Sequence, residues 1–269
     1  MDIEKITVTG GFGKDGRPEP LGEVTFTMGD VVSIVGPTGC GKTTLINDIE
    51  LFADGDTPSG RRVLIDGSPR SGDTTCDPSK NPIALISQHT NFLSDLPVRE
   101  FLCIHATIRK SGDPVALVRE TLDFANQLTG EPIDLDCKMT GLSGGQTRSL
   151  LIADAVIIGN APIILLDEIE NAGIHRTRAL ELLRQYRKIF IFVTHDPRIA
   201  LLSDYRIVIG QGAMRQLIHT DSSERRMAEE IGRIDDMLLE FRNTLRAGGR
   251  LGQQDMDRLR STMAVLEQA

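Results

Sequence analysis

Residues Gly36-Pro37-Thr38-Gly39-Cys40-Gly41-Lys42-Thr43 match the spacing G-x-x-x-x-G-K-[ST], directly after the apolar run Val31–Val35 and at the head of an apolar-periodic stretch running through Thr44 to residue 52. A strand that turns through glycines into a helix leaves the backbone amides of the turn facing inward, where they cradle a phosphate. Lys42 adds a point charge at the β and γ phosphates, and Thr43 offers a hydroxyl to Mg²⁺. Cys40 sits in a variable slot of this loop and reads as a spacer within the nucleotide cradle rather than a nucleophile.

The same alternation recurs along the chain. Short apolar runs at residues 6–9, 23–28, 31–35, 62–65, 83–87, 163–167, 189–194 and 205–209 read as strands, and several lead into Gly-rich turns or helical patterns. This predicts an α/β fold. Residues 91–139 break the rhythm, with long helical stretches such as 113–128 and no strand, so they read as a helical insertion. In the last fifty residues Met227, Ile231, Ile234, Leu238, Phe241 and Leu245 are spaced 4-3-4-3-4, a seam of about three heptads. Gly248-Gly249 interrupts it, and Met256, Leu259, Met263 and Leu266 resume at 3-4-3, which predicts a helical hairpin. Such stripes pack on each other or on the main body, or meet a dimer or partner chain.

Charge and cysteine content narrow the partners. Thirty basic against 38 acidic side chains give a net charge of −8, which argues against nucleic acid as a partner because phosphate backbones need clustered Lys and Arg. Cys40, Cys76, Cys103 and Cys137 form no CxxC pair and no zinc spacing, so they read as reduced thiols. No apolar run reaches the 18 or more residues of a membrane span, and the first residues carry no apolar leader pattern. A cytoplasmic location, including a peripheral one on the inner face of the membrane, is the expectation.

Two further elements define a chemistry. Residues 163–168, Ile-Ile-Leu-Leu-Asp-Glu, read as a buried strand ending in two carboxylates that point opposite ways, so they cannot share one job. Asp167 can support Mg²⁺ while Glu168 polarises a water for attack on a γ-phosphate. Leu142-Ser143-Gly144-Gly145-Gln146 then follows the helical insertion. With this motif the sequence resembles the ATP-binding-cassette (ABC) ATPases, whose signature is LSGGQ, over roughly residues 1–220.

The resemblance implies a P-loop NTPase (RecA-like) core with an N-terminal antiparallel β subdomain and a helical subdomain inserted at about residues 91–140. Together these form a nucleotide-binding domain over residues 1–220, followed by the hairpin at 221–269. ATP and Mg²⁺ are the expected ligands. Ser143, Gly144, Gly145 and Gln146, at a helix N-terminus, close on ATP held by the phosphate loop of an opposing subunit, giving a head-to-tail dimer with a second copy or a paralogous subunit. Phe12 corresponds to the aromatic that stacks on adenine, Gln88 to the glutamine that touches Mg²⁺ and the attacking water, and His195 to the switch histidine on the γ-phosphate. Lys42, Gln88, Glu168 and His195 are then the catalytic set, and Thr43, Gln88 and Asp167 the metal set.

The chain departs from the family in places. Ile169-Glu170-Asn171-Ala172-Gly173-Ile174 replaces the usual D-loop, leaving Ile174 where an aspartate stands. Ser149 and Asp154 occupy positions usually held by Arg, and the stretch from Glu168 to His195 is shorter than usual, implying a trimmed helix. All groups needed for hydrolysis are present, so an active ATPase of a divergent branch is expected. It reads as the energising subunit of a transporter whose spans lie on another polypeptide, with residues 91–102 as the groove for that partner or as core. The other reading is a soluble ATPase that remodels or assembles a protein complex, such as a metallocofactor machine. A role on DNA would call for a long coiled coil or a basic face, and the sequence has neither.

Overall fold

The computed structural model describes residues 3–69, 81–87, 89–109, 112–168 and 176–266. Its elements run β1 (Lys5–Thr9), β2 (Glu23–Thr27), β3 (Val31–Val35), α1 (Lys42–Glu50), β4 (Arg62–Ile65), β5 (Ser68–Pro69), β6 (Ile83–Ile86), α2 (Val98–Arg109), α3 (Pro114–Leu128), α4 (Gly144–Val156) and β7 (Ile163–Asp167). They continue with α5 (Arg176–Leu183), β8 (Ile189–Val193), α6 (Pro197–Leu202), β9 (Tyr205–Gly210), β10 (Ala213–His219), α7 (Ser222–Arg246) and α8 (Gln253–Leu266). The chain divides into two compact units, Met1–His219 and Thr220–Ala269.

The first unit holds two sheets. One is antiparallel, in the order β2-β1-β4-β5; the other has six strands in the order β10-β9-β3-β8-β7-β6. In the larger sheet β3, β6, β7, β8 and β9 are mutually parallel and only β10 runs antiparallel, against β9. Strands buried on both faces need apolar residues at every position, which explains the unbroken runs in β3, β7 and β8. Alternation sorts their side chains into two cores. Ile164 and Leu166 of β7 with Phe190 and Phe192 of β8 join the core formed with α2, α3 and α4. Ile163 and Leu165 with Ile189 and Ile191 join the core under α1 and the antiparallel sheet. Fully burying each such side chain stabilises by roughly 1.5–3 kcal/mol.

Local signals set the helix ends. Asp113 caps α3 by accepting from the Val115 amide, and Pro114 follows at the first helical position, where its missing N–H is no loss. The helix expected over 42–52 stops at Glu50, because Phe52 turns into the left-handed region (φ 53°) to bury its ring. Strand β10 has no counterpart in the sequence reading; its alternation is broken by a bulge between Met214 and Gln216.

Lys188, at the entry to β8, is 7% exposed and donates to Asn160 Oδ1 (2.7 Å) and to the Ala161 carbonyl (3.0 Å). Burial pushes its pKa down from 10.5 to about 8. Between these values the unfolded chain holds the proton and the folded chain does not, so the contribution of Lys188 to stability rises with pH across that window. The unfolding free energy of the wild type minus that of Lys188→Met is therefore expected to be flat below pH 8 and to climb from there to pH 10.5. A difference that stays flat throughout, measured by urea titration, would remove the buried ammonium from the account.

In the second unit Asp221 caps α7 through the Ser223 and Glu224 amides, both at 2.8 Å. Gly248, with φ 79°, follows its end, and Arg258 of α8 pairs with Glu240 of α7 at 2.9 Å. Along the predicted seam Ile231, Ile234 and Phe241 are half-buried, while Met227, Leu238, Leu245 and Met256 are exposed.

Candidate functional site

Three neighbouring strands of the larger sheet bring the candidate residues to its carboxyl edge, where open α/β sheets bind ligands. Strand β3 leads into the loop at residues 36–41, β7 ends on Asp167 and Glu168, and β8 leads into Thr194 and His195. The order β3-β8-β7 sets these three ends side by side.

The loop depends on two glycines for its shape. A Cβ on Gly36 (φ 153°) would lie 2.3 Å from the Ile209 carbonyl oxygen and 2.8 Å from Cys40 Sγ. A Cβ on Gly41 (φ 106°) would lie 2.9 Å from Gly212 Cα. The loop is therefore wedged against the β9–β10 turn, and Cys40 is a buried packing residue within it. Pro37, Thr38 and Gly39 are exposed, as is Thr43 in the first turn of α1, and Thr44 is half-buried beside it. Helix α1 has no side-chain cap and no acidic residue in its first turn, which leaves its N-terminal amides and dipole to favour an anion. Lys42 is 6% exposed, and its ammonium donates to the carbonyls of Gly36 (2.9 Å) and Pro37 (3.2 Å), holding the charge over the loop.

Opposite the loop, His195 Nε2 lies 3.5 Å from Glu168 Oε1, so the two residues nominated for the γ-phosphate side stand together. Glu168 has φ 51°, and its amide donates to the Val193 carbonyl at 3.0 Å. A non-glycine residue held in the left-handed region at the edge of a cleft is the kind of strain that a site keeps. Asp167 lies in register with Val193 of β8. Thr43 and Asp167 carry hard oxygen donors, a chemistry that suits Mg²⁺ sharing its remaining positions with phosphate oxygens and water.

Phe12 is 52% exposed, its amide donates to the Ser59 carbonyl at 2.7 Å, and its ring lies over Gly60. Two residues on, Lys14 Nζ donates to the Gly39 carbonyl at 2.8 Å, so the aromatic and the phosphate loop belong to one surface.

Ser143 stands elsewhere. It caps α4 in a reciprocal box, its hydroxyl accepting from the Gln146 amide (3.3 Å) while its own amide donates to Gln146 Oε1 (2.9 Å). Gln146 Nε2 also donates to the Pro132 carbonyl at 3.0 Å, which fixes the start of the helix. Among the described residues no hydrogen bond joins Ser143, Gly144 or Gly145 to the phosphate loop of the same chain. Asp154, one of the departures from the family pattern, accepts from His105 Nδ1 at 2.8 Å and so ties α4 to α2, while His105 Nε2 accepts from Arg109 Nε; Ser149 is fully buried in α4. Gln88 and residues 169–174, including Ile174, lie outside the described residues.

Comparison with known proteins agrees with this geometry. The family model described as ABC transporter matches residues 22–171. An uncharacterized ABC transporter ATP-binding protein of Methanocaldococcus jannaschii is 47% identical over 256 residues, 95% of this chain and 98% of that protein. The spermidine/putrescine import ATP-binding protein PotA of Lawsonia intracellularis is 32% identical over 197 residues, 70% of this chain but only 51% of that relative's length. Among solved structures, a dimeric ATP-binding cassette in a post-hydrolysis state bound to ADP and Pi aligns with a TM-score of 0.61 at 25% identity, over 81% of this chain and 99% of that one. The α/β, P-loop NTPase fold expected from the motifs is thus borne out.

Proposed function

The chain belongs to the ABC transporter family and is an ATPase, and from that premise we propose that it is the energising subunit of a transporter whose membrane-spanning part is a separate polypeptide. It works as a head-to-tail dimer in which each ATP lies between the phosphate loop of one copy and Ser143 of the other. The observation that carries this reading is the division of the site. Lys42, Glu168 and His195 lie along one sheet edge, while Ser143 and Gly144 are exposed at the head of α4, where they could meet an anion held by another copy. The names of the relatives support transport, and no helix among the described residues is long and apolar enough to cross a membrane.

In hydrolysis the backbone N–H groups of residues 38–44 and the Lys42 ammonium hold the β and γ phosphates, and the Phe12 ring stacks on the base. Thr43, Asp167 and Gln88 would hold Mg²⁺, which when bound neutralises charge on the phosphate oxygens. Glu168 takes a proton from the attacking water as its oxygen bonds to the γ-phosphorus and the bond to the bridging oxygen of ADP breaks. His195 donates to the γ-phosphate and, through its contact with Glu168, holds the base in place. The opposing Ser143 adds a hydroxyl donor, because accepting from Gln146 leaves its own O–H free to give.

Ser143→Arg is expected to abolish turnover and ATP-dependent dimerisation while nucleotide still binds, as read by phosphate release, sedimentation and equilibrium binding. Unchanged turnover and dimerisation would refute the shared site. For the transport assignment, the tagged Glu168→Gln chain is captured from its native cells with ATP in mild detergent. A multi-span membrane protein in stoichiometric amount is the expected companion, and a soluble complex in its place would overturn transport in favour of remodelling.

A further inference from the structure

Arg61 is fully buried beneath the nucleotide-facing surface, and no catalytic step uses it. Its guanidinium reaches three segments of chain. Nη1 donates to Asp48 Oδ2 (2.8 Å) on α1, Nη2 to the Gly212 carbonyl (2.7 Å) in the β9–β10 turn, and Nη2 and Nε to the two carboxylate oxygens of Glu19 in the loop that carries Phe12. Each partner is itself tied to the site. Glu19 accepts from the Gly11 amide (3.1 Å), next to Phe12, and from the Met214 amide (2.9 Å). Asp48 accepts from Ser59 Oγ (2.8 Å), and the Ser59 carbonyl receives the Phe12 amide. The Gly212 amide donates to the Cys40 carbonyl (2.7 Å) inside the phosphate loop.

Burial opposes the charge on Arg61, but the hydrogen bonds and charges of Glu19 and Asp48 outweigh it and raise its pKa, so the guanidinium stays charged. One cation thus lies between two buried carboxylates, with Gly11, Met214 and Ser59 supplying the remaining donors. An apolar cluster would fill this space at least as stably, so the network is better explained by the geometry it imposes than by stability. A planar fork with fixed donor directions holds three segments at set distances, which a lysine's single ammonium cannot do.

We propose that Arg61 is a positioning residue for base recognition: with Glu19 and Asp48 it locks the Phe12 loop to the phosphate loop, so that purine stacking and triphosphate binding occur on one rigid surface. This rests on the reading of Phe12 as the base-stacking residue. Loss of the fork lets the Phe12 loop move relative to residues 36–43. Selectivity for a nucleoside triphosphate over a bare triphosphate then falls, while the phosphate cradle keeps its own contacts.

The test compares the affinity for ATP with that for inorganic tripolyphosphate in the wild type, Phe12→Ala, Arg61→Lys and the shape-conserving Asp48→Asn. Phe12→Ala is expected to lower the ratio of the two affinities about tenfold, the scale of one base–aromatic stack. Arg61→Lys is expected to lower it by a similar factor, and Asp48→Asn by less, with tripolyphosphate binding held within about twofold of wild type. If Arg61→Lys does not fold, Asp48→Asn carries the test. A wild-type ratio in the Arg61 and Asp48 variants beside a lowered ratio in Phe12→Ala would overturn the positioning role and leave base stacking in place. An equal loss of both affinities would overturn it too, because the network would then serve the loop as a whole. A wild-type ratio in Phe12→Ala would instead refute the stacking reading on which the proposal rests.

Discussion

Glu168→Gln is expected to turn ATP over at least about a hundredfold more slowly than the wild type while binding ATP as tightly, the scale that follows when a positioned general base is removed. The substitution keeps the size of the side chain and changes one oxygen for an amide nitrogen, so the left-handed backbone at this position and the Glu168 amide bond to Val193 are retained. What disappears is the basic oxygen that stands 3.5 Å from His195 Nε2 at the edge of the cleft. Phosphate release in single-turnover conditions reads the chemical step, and a filter assay with labelled ATP reads binding. Wild-type turnover would remove Glu168 as the base.

Lys42→Ala acts on binding itself. The ammonium is held over the loop through the carbonyls of Gly36 and Pro37, and a charge-assisted hydrogen bond to phosphate is worth about 1.5–3 kcal/mol. Nucleotide affinity is therefore expected to fall roughly ten- to a hundredfold, with turnover lost at ordinary ATP concentrations. The fold should survive, because the two carbonyls released at the loop lie at half-buried or exposed residues that water can reach. Isothermal titration with a slowly hydrolysed ATP analogue, beside a thermal melt, separates the two effects. Unchanged affinity in a folded protein would contradict the placement of the phosphates.

The catalytic edge was legible in the sequence for a physical reason. Strand β3, the glycine loop and α1 are consecutive, so spacing alone carries the geometry of residues 36–43. The ends of β7 and β8 announce themselves because doubly buried parallel strands are uninterrupted apolar runs, which makes the polar residue that ends each one conspicuous. The roles of Phe12 and His195 came from family resemblance, since a lone aromatic in a turn and a lone histidine after a strand carry no spacing signal of their own.

The Arg61 network was not legible. Glu19, Asp48, Arg61 and Gly212 come together from four separate stretches, so no local spacing links them. Only the fold reveals that Arg61 points inward to full burial while Arg62 faces solvent. The same holds for His105 and Asp154, which meet across two helices. Strand β10 escaped notice because its bulge breaks the two-residue period by which strands are read. The tail seam was correctly spaced for helices, but spacing does not say which side is covered, and four of its residues are exposed.

The most direct test of the shared site is native mass spectrometry of the Glu168→Gln chain with and without ATP and Mg²⁺. The account predicts a single chain without nucleotide and, with ATP, a species of two chains carrying two nucleotides. A chain that binds one ATP and remains single at every concentration would contradict it.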